Sequence, residues 1–140
     1  MQEHSAPDPL FGFRILIAED NPVNVLILEK SLEDVGCHFH STSNGMEAVQ
    51  EYERAAYDLI LMDLQMPDMD GIEATQKIRS IEVGTGRHIP IVALTAHAQQ
   101  GDKERCLACG MDDYLPKPIR RRDMIEKLRI WATMTKSLSS

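Results

Sequence analysis

Apolar residues in this chain come in short runs, and each run is followed by a stretch in which they recur at helical spacing. Five runs have strand length: Phe13 to Ala18, Cys37 to Thr42, Leu59 to Asp63, Ile89 to Thr95 and Asp113 to Leu115. Strands and helices alternating in this way predict a parallel sheet covered by helices, an α/β fold. The first helix has Pro22 at an early position, where its missing N–H costs nothing, then Val25, Leu28, Leu32 and Val35 on one stripe, with Gly36 as a stop. The third opens with Asp70 as N-cap and Glu73 three residues on, with Ile72, Thr75 and Ile78 facing inward. The fourth is expected from about Ala98 to Cys109, stopping at Gly110, and the fifth buries Met124, Leu128 and Trp131. Residues 1–10 read as a linker, 11–134 as a single domain and 135–140 as a polar tail, with no internal repeat beyond the βα unit.

Composition narrows the function. With 140 residues and 43% hydrophobic content the chain supports one core and is too short for two ordinary domains. A net charge of -7 argues against binding nucleic acid or an anionic membrane, so a protein partner or small ligand is expected. No apolar stretch approaches bilayer length, and the start Met1-Gln2-Glu3-His4-Ser5 lacks a basic-then-apolar signal, which predicts a cytoplasmic protein. Three cysteines in a domain that builds its own core predict free thiols.

The chemistry lies where the runs end. Ile15-Leu16-Ile17-Ala18 leads into Glu19-Asp20, Leu59 to Met62 into Asp63, and Tyr114-Leu115-Pro116 into Lys117. In a parallel sheet these ends share the carboxyl edge, where doubly wound folds bind ligands. Carboxylates gathered there repel, by roughly 4 kcal/mol for a pair about 4 Å apart at an effective dielectric near 20. A divalent cation relieves that repulsion, and an oxygen donor set suits Mg²⁺ or Mn²⁺ bound together with a phosphate oxygen. The edge reads as a phosphoryl site.

Four segments carry a family resemblance: Ile15-Leu16-Ile17-Ala18-Glu19-Asp20-Asn21-Pro22-Val23-Asn24, Leu61-Met62-Asp63-Leu64-Gln65-Met66-Pro67-Asp68-Met69-Asp70-Gly71, Ala93-Leu94-Thr95-Ala96-His97-Ala98, and Gly110-Met111-Asp112-Asp113-Tyr114-Leu115-Pro116-Lys117-Pro118. In this order and spacing the chain resembles a response-regulator receiver domain, specifically the receivers attached to hybrid sensor histidine kinases, from Phe13 to Trp131. The resemblance implies a flavodoxin-like, doubly wound five-stranded parallel sheet of order 2-1-3-4-5 with helices on both faces. It makes Asp63 the phosphoacceptor in a two-component phosphorelay, with Mg²⁺ held by Glu19, Asp20, Asp63 and the backbone carbonyl of Gln65. Lys117 would bind a phosphoryl oxygen, aimed inward by a cis Lys117-Pro118 bond. Thr95 would contact the phosphoryl group and act with Tyr114 as the switch, and His97 stands where the family tunes dephosphorylation. The implied partner is a histidine kinase or histidine phosphotransfer domain docking on the first helix near Asn21, Pro22, Val23 and Asn24, with no nucleic acid, no direct membrane contact and a monomeric state. The implied chemistry is self-catalysed phosphotransfer and autodephosphorylation, within a kinase if the chain belongs to a full-length hybrid protein.

Other readings meet specific residues. A phosphatase with an aspartyl nucleophile needs an acid two residues after it, where Gln65 stands. A nucleotide-binding flavodoxin-like protein needs a Gly-rich or hydroxyl-rich loop where Asp20-Asn21-Pro22 lies. A degenerate receiver would lack some of Glu19, Asp20, Asp63, Thr95 and Lys117. The pair Cys106 and Cys109 lacks the further ligands zinc needs, and Arg120-Arg121-Arg122 reads as a solvated face.

Overall fold

The structure is a computed structural model that describes residues 8–97 and 101–139, with side chains to residue 135. Five strands alternate with five helices: β1 (Arg14–Ala18), α1 (Pro22–Asp34), β2 (His38–Thr42), α2 (Gly45–Arg54), β3 (Leu59–Asp63), α3 (Gly71–Glu82), β4 (Ile91–Thr95), α4 (Lys103–Cys109), β5 (Asp113–Pro116) and α5 (Arg121–Ser139). All strand pairs are parallel, in the order β2-β1-β3-β4-β5. This is the expected doubly wound sheet.

The unbroken apolar runs are explained by burial on both faces. Ile15, Ile17, Leu59, Leu61, Val92 and Leu94 pack with Leu28 and Leu32 of α1 and Met124 and Leu128 of α5. Their neighbours Leu16, Ala18, Ile60, Met62, Ile91 and Ala93 pack on the other face with Ala48 of α2, Ile78 of α3 and Cys106 of α4. Strand side chains alternate between faces, so a strand inside two helical layers needs an apolar residue at every position.

Differences at the element boundaries have local causes. β4 begins at Ile91 and not at Ile89, because the Ile89 amide donates to the buried carboxylate of Glu82 (2.7 Å) and Pro90 has no N–H. The Phe13 amide closes a turn onto Leu10 O (3.0 Å), and the Cys37 amide caps α1 through Leu32 O (3.1 Å), so β1 and β2 each start one residue later than the apolar run. The packed chain begins ahead of residue 11: Leu10 is fully buried and Asp8 pairs with Arg129 of α5 (2.7 Å). α5 continues through the polar residues after Thr133 to Ser139. For the fourth helix, expected from Ala98, residues 98–100 lie outside the described residues, and α4 itself spans Lys103–Cys109.

Candidate functional site

Because the strands are parallel, the residues following β1, β3, β4 and β5 meet on one edge. Glu19, Asp20 and Asp63 each bring a carboxylate oxygen there, all within 4.8 Å of one another. Glu19 and Asp63 are buried and Asp20 is exposed. The two acids after β1 are not helix caps: Asn21 takes that role, its Oδ1 accepting from the amides of Val23 (2.9 Å) and Asn24 (3.2 Å). Capping by Asn21 leaves Asp20 without a backbone donor among the described residues and pins the loop that carries it.

Lys117, half-buried after β5, reaches past the end of β4. Its Nζ lies 3.0 Å from Asp63 Oδ1 and 3.2 Å from Glu19 Oε1. The Lys117-Pro118 bond is cis, as expected, and the Lys117 amide donates to Thr95 O (2.7 Å). Two acids face one ammonium here. Burial pushes the Asp63 carboxyl up from 3.8 to about 6; the Gln65 amide donating to Oδ1 (3.1 Å) opposes this, the nearby Glu19 charge adds to it, and Lys117 opposes it. Burial alone would lower the Lys117 ammonium, but Asp63 and then Glu19 outweigh it and hold it above its usual value. Glu19 Oε1 is buried and, although ion-paired, has no aligned hydrogen bond among the described residues. A compact set of acid oxygens with one such atom fits a hard divalent cation.

Beside the acids a cleft of about 590 Å³ is lined by Asp20, Gln65, His97, Asp102 and Arg105, among others. Thr95 ends β4 in the expected place, but its hydroxyl donates to Asp102 Oδ2 (2.6 Å). Asp102 and Arg105, which holds the other Asp102 oxygen at 2.9 Å, were not singled out from the sequence. They look like an ordinary start of a charged helix, and only the folded chain brings Asp102 to Thr95. Tyr114 of β5 is half-buried between Lys103 of α4 and Lys127 of α5, whose Nζ atoms lie 5.6 and 5.3 Å from its ring centre. His97 is exposed at the cleft. The cysteines are free thiols; burial pushes Cys106 up to about 11, so it is protonated at neutral pH and is not poised for metal or redox chemistry.

A parallel five-stranded sheet with an acid cluster and an inward lysine at its carboxyl edge is the arrangement expected of a receiver domain. The chain belongs to the response regulator receiver domain family, whose pattern it matches over residues 15–129. It is 48% identical over 121 residues to hybrid signal transduction histidine kinase B of Dictyostelium discoideum, and 44% identical over 119 residues to the sensor protein GacS of Pseudomonas syringae. These alignments cover 80% and 84% of this chain but 6% and 13% of the two kinases. Among solved structures it is similar to the receiver domain of sensor histidine kinase PA1611 from Pseudomonas aeruginosa, which has magnesium coordinated in its active-site cleft. That likeness has a TM-score of 0.79 and 45% identity over 87% of this chain and 98% of that one. It is also similar to the receiver domain of Ssk1 from Saccharomyces cerevisiae in co-crystal with the histidine phosphotransfer protein Ypd1, with a TM-score of 0.82 and 37% identity over 89% of this chain and 92% of the other.

Proposed function

We propose that this receiver domain accepts a phosphoryl group from phosphohistidine onto Asp63, with Mg²⁺, and then passes it on or loses it to water. The convergence of Glu19, Asp20 and Lys117 on Asp63 carries the reading. Attack by an Asp63 oxygen on phosphorus forms an acyl phosphate as the P–N bond to the donor imidazole breaks and the imidazole leaves. The Gln65 amide and the Lys117 ammonium both meet Oδ1, which leaves Oδ2 as the attacking atom. Nucleophile and donor are both anionic, so the transfer needs positive charge at the site. Bound Mg²⁺, held by Asp20, Asp63, the Gln65 carbonyl and Glu19 directly or through water, would supply that charge. Lys117 adds a second cation and follows the transferred oxygens as a point charge.

The donor we infer is a helical histidine phosphotransfer or kinase domain. Val23, Leu26 and Ile27 on α1 are exposed apolar residues close in sequence to Glu19 and Asp20, and the Ypd1–Ssk1 complex shows that a receiver of this fold engages such a partner. No described helix is long and apolar enough to cross a membrane, and cytoplasmic exposure follows from the proposed donor. The test is transfer of labelled phosphate from a phosphorylated histidine phosphotransfer protein. Label should move to this chain in Mg²⁺ and stay on the donor in EDTA. Retention on the donor under both conditions, with several donors, would contradict the proposal.

A further inference from the structure

The Thr95 hydroxyl has a single proton, and that proton is already committed. Thr95 is 2% exposed, and its Oγ1 donates to Asp102 Oδ2 at 2.6 Å while accepting from the His97 amide at 3.0 Å. A hydroxyl can donate only once. It therefore cannot donate to Asp102 and to an oxygen on Asp63 at the same time. The bond is short and has an ionised acceptor, the stronger class of hydrogen bond. Asp102 is itself 7% exposed, and its other oxygen is held by Arg105, an exposed side chain on the next turn of the same helix.

We infer that Asp102 is a positioning residue that holds the Thr95 hydroxyl away from the phosphoryl site and so lowers the affinity of the resting domain for a phosphoryl group. This rests on the reading of Asp63 as phosphoacceptor. Capture of a phosphoryl oxygen by Thr95 leaves the buried Asp102 carboxylate short of a donor, which favours its movement outward with Arg105. The next residue, Lys103, lies over the Tyr114 ring. Release of Asp102 therefore shifts the start of α4 and loosens one of the two cations that flank Tyr114. A single exchange of hydrogen-bond partner at Thr95 thus reaches the α4–β5–α5 face through named contacts.

Beryllofluoride with Mg²⁺, a stand-in for the phosphoryl group, tests this by titration on four proteins. Removing a hydrogen bond to a charged group that competes with the ligand should tighten binding about tenfold in Asp102→Ala. Asp102→Asn keeps a carbonyl acceptor for Thr95, but an uncharged and weaker one, and should fall between the parent and Asp102→Ala. In a Thr95→Val background, Asp102→Ala should have almost no effect, because the contact it removes is already gone. Equal tightening with and without the Thr95 hydroxyl would overturn the inference and assign the effect to charge at the cleft. Unchanged or weaker binding in a folded Asp102→Ala protein would overturn it as well. The ligand-free protein gives an independent readout: the Thr95 hydroxyl proton should be protected from exchange in the parent and in Asp102→Asn, and unprotected in Asp102→Ala. Failure of the parent to bind beryllofluoride would count against Asp63 as acceptor, while protection of that hydroxyl would still decide the latch.

Discussion

The Lys117 ammonium lies 3.0 Å from Asp63 Oδ1, although their strands, β5 and β3, are separated by β4. The same ammonium is 3.2 Å from Glu19, so one cation compensates two buried carboxylates. Its removal leaves both uncompensated. Lys117→Met should destabilise the metal-free protein by about 2–4 kcal/mol, somewhat less than for a fully buried pair broken from one side because Lys117 is only half-buried, and Mg²⁺ should restore most of the loss. Phosphoryl uptake should fall at least about tenfold, since a charge contact to the transferring group is lost. Denaturant melts with and without Mg²⁺, together with uptake rates, check both points.

The raised Asp63 carboxyl makes stability depend on pH in the metal-free protein. With a folded-state pKa of about 6 against 3.8, the native state binds the proton more tightly than the unfolded chain does. Stability from this group is therefore fully present below about pH 4 and is lost as pH rises through 6, by on the order of 3 kcal/mol. Asp63→Asn should flatten that slope and be more stable than the parent at pH 7 without metal. A parent curve that rises between pH 4 and 6, and an Asn variant with the same slope, would oppose the assignment.

Gly71 opens α3 directly against the acceptor strand. A Cβ at this position would lie 2.1 Å from the Asp63 carbonyl oxygen and 3.0 Å from Met62 Cγ. Backbone cannot yield as a flexible side chain does, so Gly71→Ala should displace the end of β3 and destabilise by about 1–3 kcal/mol. Mg²⁺ affinity should fall with it, because Asp63 moves relative to Glu19 and Asp20. Gly84 has nothing within 4 Å and serves as the control glycine, although its φ of +81° disfavours other residues for a separate reason.

Much of this architecture can be read from residues close together in the chain. The run Leu59 to Met62 ending in Asp63 becomes β3 with those bounds, because every side chain in it is buried and nothing long-range interferes. The start of β4 departs from the apolar run because the buried Glu82 carboxylate takes the Ile89 amide, a capture that the pattern around Ile89 does not show. Lys117, Glu19, Asp20 and Asp63 are legible as a set because each directly follows an apolar run. Asp102 is not, since a charged residue opening a charged helix is ordinary until the fold places it 2.6 Å from the Thr95 hydroxyl. Leu10 was hidden for a similar reason: it stands just after Asp8 and Pro9, outside the strand-length run, and its burial needs α5 and the bond from Gly12 to Gly36.

The exposed face of α1 separates docking from chemistry. Val23 is 65% and Leu26 64% exposed, so neither holds the core. Val23→Glu and Leu26→Glu should slow transfer from a phosphohistidine protein by about tenfold or more, as loss of an apolar anchor at an interface does. Phosphorylation by a small acyl phosphate needs no docking surface and should change less than about twofold by the same reasoning. Parallel loss with both donors would place these residues in support of the site and not of the partner.

Asp63 alone is expected to receive the phosphoryl group. Intact mass after incubation with a small acyl phosphate tests it most directly. The parent should gain one phosphoryl group in Mg²⁺ and none in EDTA, and Asp63→Asn, folded by its melting curve, should gain none under either condition. A phosphorylated Asp63→Asn protein, or a parent that gains the group equally well in EDTA, would contradict the account.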